Sequence, residues 1–304
     1  MRTMRPRALA ALLPALLPVL LVAATLGAQA PAAPTKIFIS VDLEGIGGVG
    51  TQAMVRPDGK DYALARRLAT DEVNAVVAAI FRRGPAEIVV NDSHGDMQNL
   101  LHTELDPRVT YIQGAVKPVG MVEGLDSTFH GAIFLGYHAR AGTANGFLAH
   151  TGTGSVKGLW LGDREVGEGE LNAAYAGALG VPVLLAAGDS AFAAQFGQSV
   201  PGAELVVTKT SITGQAARLT HPTVVRERLA AATERALANR ARARPFVVPR
   251  PVQVRLRLSD HTLVQIMEAI PGVRRADGYT VAFSAASMAQ AYPLIRFLYR
   301  FVAI

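Results

Sequence analysis

The chain has 304 residues, half of them hydrophobic, with no cysteine and a formal net charge of +6 at pH 7. The lack of cysteine excludes disulfides, thiolate ligands and a cysteine nucleophile, so any zinc-like ion must be bound by His, Asp and Glu side chains. The basic residues form no long Lys/Arg block, so we expect no nucleic-acid partner. The length suits one large domain or two smaller ones.

The first 30 residues have the pattern of a secretory signal peptide. Three arginines in the first seven residues precede an apolar run that extends to about Leu26, and Ala28-Gln29-Ala30 matches a small-x-small cleavage site. We therefore expect cleavage after Ala30, export to the periplasm or the extracellular space, and no stable membrane insertion of the mature protein. The alternative is an uncleaved membrane anchor, since the run is near the lower length limit for a membrane span.

The mature sequence alternates short apolar strands with helical segments. A strand, a helix and a second strand form a βαβ unit, which implies parallel strands, and further apolar strands follow. We therefore expect a catalytic α/β domain over residues 31–207, with a mostly parallel sheet and flanking helices. The segments that carry this prediction are Lys36–Val41, Asp61–Arg83, Glu87–Asn91, Ala132–Gly136 and Val181–Ala187.

The sequence changes in character beyond residue 207. A helical segment covers His221–Arg244, Val252–Leu258 alternates like an exposed strand, and Met288–Val302 has the pattern of an amphipathic helix. This part contains no cluster of metal-binding residue types. We expect residues 208–304 to form a smaller C-terminal α+β domain used for packing or assembly.

Polar residues of metal-binding type follow several of the predicted strands. Asp42 and Glu44 end the first strand and, being two residues apart, face the same side. His94 follows the second strand, His138 follows a later one, and Glu168 comes after a predicted hairpin. Because the carboxyl ends of parallel strands meet at one edge of a sheet, these side chains can converge there.

Five nitrogen and oxygen ligands at one edge suit two zinc-like ions that share a bridging carboxylate. Two adjacent carboxylates repel, and a divalent cation relieves that repulsion. The alternative for Asp42 and Glu44 alone is a solvated loop, and a single strand-end histidine is more often a capping or core residue. His102 and His130 lack a strand-end context, so we assign them no role.

Several segments resemble the DppA-type D-aminopeptidases, which are zinc peptidases of bacterial dipeptide-transport operons. The resemblance extends from about Lys36 to the C-terminus and is strongest in the first two thirds. The matching segments occur in the same order and with similar spacing: Ser40–Gly45, Asn91–His94, Lys117–Pro118, Met121–Asp126, Gly136–Arg140 and Val166–Glu168.

The resemblance implies a centre with two Zn²⁺ ions per chain, and other divalent metals are the alternative. It implies that Asp42 bridges both ions, that Glu44 and His94 bind one of them, and that His138 and Glu168 bind the other. The chain differs from the family by its apparent export signal and by one extra residue between His138 and the next matching histidine.

The resemblance further implies that His150 acts in catalysis near the metals and that the protein assembles as a decamer of two stacked pentamers enclosing a cavity. The expected function is a zinc-dependent aminopeptidase acting on short peptides with N-terminal D-amino acids such as D-Ala. An L-aminopeptidase or another metal-dependent amidohydrolase on the same frame is one alternative. A metal-stabilised peptide-binding protein without turnover is another.

Overall fold

The computed structural model describes Met1 and residues 34–302. The predicted signal peptide lies, apart from Met1, outside the described residues and stays a prediction. Among the helices that are described, none combines the length and the apolar character that crossing a membrane requires.

Within residues 34–302, twelve strands form two sheets. In chain order the strands are β1 (Thr35–Val41), β2 (Ala86–Asp92), β3 (Thr110–Ile112), β4 (Gly131–Tyr137), β5 (Val156–Leu161), β6 (Arg164–Glu165), β7 (Val183–Asp189), β8 (Glu204–Thr213), β9 (Ala216–Leu219), β10 (Val252–Leu258), β11 (Arg274–Asp277) and β12 (Thr280–Ala285). The first sheet has the order β3-β2-β1-β4-β7-β8-β9 and is parallel except for β9. The second has the order β11-β12-β10-β5-β6 and is antiparallel.

The described part of the chain has six α-helices, which surround the sheets. They are α1 (Tyr62–Arg82), α2 (Glu168–Ala178), α3 (Ser190–Ser199), α4 (Pro222–Ala238), α5 (His261–Met267) and α6 (Met288–Phe297). A π-helical turn, Leu298–Val302, continues α6.

Both faces of the parallel sheet are covered. Successive residues of a strand point to opposite sides, so neighbouring residues of β1 contact different elements. On β1, Ile37 and Ile39 pack with apolar residues of α1 and α4, which cover one face. Phe38 points the other way, into a core built from α2, α3, α6 and the second sheet. Strands buried on both sides read as continuous apolar runs, which is the pattern that predicted this sheet.

The predicted fold class, a mostly parallel sheet with flanking helices, is confirmed. The contacts group the described residues from Pro34 onward into one compact unit. They do not follow the predicted boundary, because residue 207 lies inside β8 and the second sheet joins β5 and β6 to β10, β11 and β12. The physical reason is that β10 alternates buried and exposed residues and covers its apolar face by pairing with β5 over the shared core.

Candidate metal centre

The centre lies where β1 and β4 end side by side. The two strands approach closely enough that the Gly45 N–H donates to the Gly136 carbonyl at 2.7 Å. Gly136 has a φ of +72°, and a Cβ there would lie 2.1 Å from the Asp42 carbonyl oxygen. Only glycine fits a left-handed conformation with so little space. This close approach places Asp42, after β1, beside His138, after β4.

A buried polar network fixes the strand ends beneath the centre. The Ser40 hydroxyl of β1 donates to the Met121 carbonyl at 2.8 Å and is hydrogen-bonded to Ser93 and Tyr137, each at 2.7 Å. Ser93 follows β2 and Tyr137 ends β4, so one side chain ties three strand ends together. Satisfied buried networks of this kind hold their neighbours in one arrangement.

Asp42, Glu44 and His94 form the first of two ligand groups. His94 Nδ1 lies 3.1 Å from Asp42 Oδ1 and 2.9 Å from Glu44 Oε2. One atom from each residue lies within 4.8 Å of the others, which is compatible with a shared metal ion.

Asp42, His138 and Glu168 form the second group. His138 Nε2 lies 3.3 Å from Asp42 Oδ2 and 3.6 Å from Glu168 Oε2. One possible ligand atom from each of these three residues lies within 4.8 Å of the others. Asp42 therefore presents Oδ1 to the first group and Oδ2 to the second, which is the arrangement that a bridging carboxylate requires.

Both histidines direct a lone pair into the cluster. His94 Nε2–H donates to the Val55 carbonyl at 2.7 Å, and His138 Nδ1–H donates to the Ala139 carbonyl at 3.0 Å. A ring nitrogen bound outward to a carbonyl leaves the other nitrogen free of its proton in the neutral imidazole, as in metal-ligating histidines.

Three buried atoms of the cluster have no hydrogen-bond partner among the described residues: Asp42 Oδ2, Glu44 Oε2 and His138 Nε2. Leaving such atoms unsatisfied costs roughly 1–3 kcal/mol each, and more for charged groups. All three are electron-pair donors facing the same region, so a cation satisfies them together. Imidazole nitrogen and carboxylate oxygen are ligands that zinc accepts.

The pKa shifts in the cluster reflect carboxylates and histidines buried close together. Burial raises the pKa of Asp42, and the Glu44 carboxylate raises it further. Burial alone would lower the pKa of His94 and His138, but the neighbouring carboxylates outweigh it and hold both pKa values well above the usual range. Burial disfavours ionised Glu168, yet His138 lowers its pKa to about 2. Protons and metal ions therefore compete for the same sites.

His150 lies against the second group. Its ring stacks on His138 with centroids 4.1 Å apart, and its Nε2 is 3.7 Å from Glu168 Oε1. His150 Nδ1–H donates to the Leu148 carbonyl at 2.8 Å, which leaves Nε2 to accept a proton. One atom of His150 also lies within 4.8 Å of possible ligand atoms of Glu44 and His138, so direct metal binding is the geometric alternative.

The cluster opens onto a cavity of about 520 Å³. Glu44, His94 and His150 lie at its wall, together with small residues of the loop that carries His150, such as Gly146 and Ala149. The cavity has room for a small peptide at the centre. The six residues that the sequence predicted for the site are thus brought together, whereas their roles as ligands and catalyst stay predictions.

His102 and His130 lie elsewhere. His102 is exposed in a short 3₁₀ turn, His102–Glu104. His130 Nδ1 accepts the Lys36 N–H at 2.9 Å, at the opposite end of β1 from Asp42.

Sequence reasoning missed Lys209, a buried residue of β8. Its Nζ donates to the carbonyl of Glu44 and, at 2.6 Å, to that of Val49. Burial lowers the pKa of Lys209 to about 7. The side chain fixes the turn that carries Glu44. A lone lysine in a polar strand gives no sequence signal of this role, because the partners are backbone atoms distant in the chain.

Comparison with known proteins agrees with this site. Residues 35–297 match the family described as D-aminopeptidase. A D-aminopeptidase of Bacillus subtilis (strain 168) is 38% identical over 259 residues, covering 84% of this chain and 94% of the relative. The structure of a Zn-dependent D-aminopeptidase, DppA from Bacillus subtilis, described as a self-compartmentalizing protease, superposes with a TM-score of 0.86 at 35% identity, covering 88% of this chain and 98% of that one. This chain belongs to the D-aminopeptidase family of peptidases.

Proposed function

We propose that this protein is a zinc-dependent aminopeptidase that hydrolyses short peptides with an N-terminal D-amino acid such as D-Ala. The observation that carries the proposal is the geometry of Asp42, which offers one carboxylate oxygen to each of two His/carboxylate groups. Family membership and the zinc dependence of the superposed relative support it. The proposal includes two zinc ions per chain.

Zinc in such a site polarises a carbonyl and makes water nucleophilic near neutral pH. The residues of the chain supply the other parts of the chemistry. His150 Nε2 faces the cluster with its other nitrogen fixed to Leu148, so it can take a proton from the attacking water and return it to the leaving amine. Glu168 Oε1 is held by the Gly152 N–H at 2.6 Å, which keeps the carboxylate in place beside His150.

Metal removal and restoration test the proposal with matched substrates. Chelated protein is expected to be inactive, and zinc is expected to restore hydrolysis of D-alanyl-D-alanine well above that of L-alanyl-L-alanine. Preferred turnover of the L-dipeptide would instead identify an L-aminopeptidase. Binding of both peptides without turnover by the zinc-loaded protein would identify a peptide-binding protein.

We also propose that the mature protein is exported and is a homo-oligomer. The export proposal rests on the arginine-led apolar segment and on Ala28-Gln29-Ala30. N-terminal sequencing of protein from the native compartment should find Pro31 first. An intact Met1 in a membrane fraction would contradict it and identify an anchor.

A further inference from the structure

A second, smaller cavity also borders the metal cluster. It has a volume of about 110 Å³ and reaches Asp42 and Glu168 of the second ligand group. We name this cavity the arginine chamber, because its wall includes three residues from the C-terminal helical segment: Arg296, Tyr299 and Arg300. These residues share one helix face, since positions i, i+3 and i+4 lie together.

Arg296 is a buried charge without a carboxylate partner. Arg296 is 4% exposed, and its Nε donates to the Lys117 carbonyl at 3.1 Å. Within residues 34–302 no carboxylate lies within ion-pair distance of it. Gly120 leaves space for the guanidinium, because a Cβ there would lie 2.2 Å from Nη1. A buried, unpaired charge is costly, so a ligand anion would compensate it.

Tyr299 links the arginines to Glu168 of the second ligand group. Its ring packs over Gly152, where a Cβ would lie 2.5 Å from a ring carbon. Gly152 in turn donates its N–H to Glu168 Oε1. Burial raises the pKa of Tyr299 to about 12, although Arg296 acts to lower it, so the hydroxyl remains a neutral hydrogen-bonding group.

The charges of the centre decide which end of a peptide fits the chamber. Three carboxylates with two Zn²⁺ ions and neutral histidines carry a net positive charge, so the arginines are not needed to neutralise the centre. Arg296 and Arg300 add further positive charge, which repels the ammonium of a substrate and attracts a carboxylate. Arginine binds carboxylates with paired, charge-assisted hydrogen bonds.

We propose that the arginine chamber binds the α-carboxylate of the leaving amino acid, with Arg296 and Arg300 as the donors, and so selects dipeptides. The inference rests on the proposed function and adds a specificity site to it. In a dipeptide the carboxylate follows the scissile bond by a single residue, which matches a small chamber that adjoins the ligands. The apolar side chains of Met97 and Met121 also line the chamber and suit a small apolar residue such as alanine.

Paired substrates test the chamber. Zinc-loaded protein should cleave D-alanyl-D-alanine with a higher kcat/KM than D-alanyl-D-alaninamide, by roughly 10- to 100-fold, as expected for charge-assisted hydrogen bonds. Arg300→Gln should reduce the ratio of the two kcat/KM values toward one, mainly by raising KM for D-alanyl-D-alanine. Arg296→Lys, which keeps the charge but not the paired donors, should reduce it partly. Arg274→Gln, the same change on the exposed edge strand β11, is the matched control and should keep the full preference.

A binding measurement separates failure of this inference from failure of the proposed function. Calorimetric titration of the zinc-loaded protein with D-alanine and D-alaninamide needs no turnover. The acid should bind more tightly in the wild type, and Arg300→Gln should remove most of that difference. If neither dipeptide is cleaved, the proposed function fails, and this titration alone shows whether the chamber binds a carboxylate. An acid-to-amide ratio that is the same in wild type and Arg300→Gln would overturn the inference, even if Arg296→Lys fails to fold.

Discussion

His150 combines a fixed tautomer with a position beside both ligand groups. Its Nδ1–H is held by Leu148, and its ring stacks on His138. A histidine beside the metal ligands can act as a general acid or base without binding the metal itself. His150→Ala should therefore retain both zinc ions but lose about 10²–10⁴-fold in kcat on D-alanyl-D-alanine, the range of positioned proton transfer.

The control for this change is His102→Ala, because His102 is an exposed histidine outside the cluster. It should leave kcat and zinc content at wild-type values. Near-normal kcat in His150→Ala would contradict the catalytic role. Loss of one zinc from that variant would make His150 a ligand, the alternative that its distance to Glu44 and His138 allows.

Sequence reasoning identified site residues where local pattern and chain topology agree. Asp42, Glu44, His94 and His138 each follow a strand, and parallel strands bring their carboxyl ends to one edge. Arg296 gave no such signal. In the sequence it is one cation of an amphipathic helix, and only the packing of that helix against the Lys117 loop turns it toward the centre.

At the scale of elements, the junction of β1 and β4 controls the geometry of the centre. Gly136→Ala forces a left-handed alanine, which costs about 1–2 kcal/mol, and also drives its Cβ against the Asp42 carbonyl. The expected result is a larger loss of unfolding free energy together with weaker zinc binding, measured by urea unfolding and zinc titration.

Gly180→Ala is the matched control for this prediction. Gly180 also has a positive φ, +81°, but nothing lies within 4 Å of the position of its Cβ. This variant should lose only the unfolding free energy that a left-handed alanine costs, and it should bind zinc normally. Equal destabilisation of both variants, with normal zinc binding in Gly136→Ala, would show that the strand approach does not position Asp42.

The elements with strong periodicity were predicted correctly, and the missed ones have identifiable reasons. The prediction placed α1, β2, β4 and the β5–β6 hairpin within a few residues of the structure. It missed α3, a ten-residue helix with a glycine, a poor helix former, at Gly197. The signal was present in Asp189, whose carboxylate caps the helix by accepting the N–H groups of Ala191 and Phe192.

The strand β8 was missed because two of its buried residues are polar. Thr208 and Lys209 are fully buried, so the run lacks the apolar alternation that marks a strand. Their partners are carbonyls of Glu44, Gly45 and Val49 in the turn after β1. Such a strand is recognisable only once the tertiary partners are known.

At the scale of the whole molecule, the proposed oligomer should be stable in solution. Phe297 and Phe301 are 46% and 47% exposed with ring centroids 6.0 Å apart, and exposed aromatic pairs are typical of protein interfaces. Light scattering should give a mass many times that of the monomer, the decamer being the expected form. A monomer mass across micromolar concentrations would exclude it, and cleavage of folded proteins would exclude an enclosed cavity.

Zinc stoichiometry is the most direct test of the proposed two-metal centre. Elemental analysis of zinc-supplemented, dialysed protein should find close to two ions per chain in the wild type. Asp42→Ala should lose most zinc at both positions, because Asp42 faces both ligand groups, whereas Glu44→Ala should mainly lose one ion. A wild-type protein that reproducibly retains no tightly bound zinc, or an Asp42→Ala variant that still binds two ions, would contradict the account.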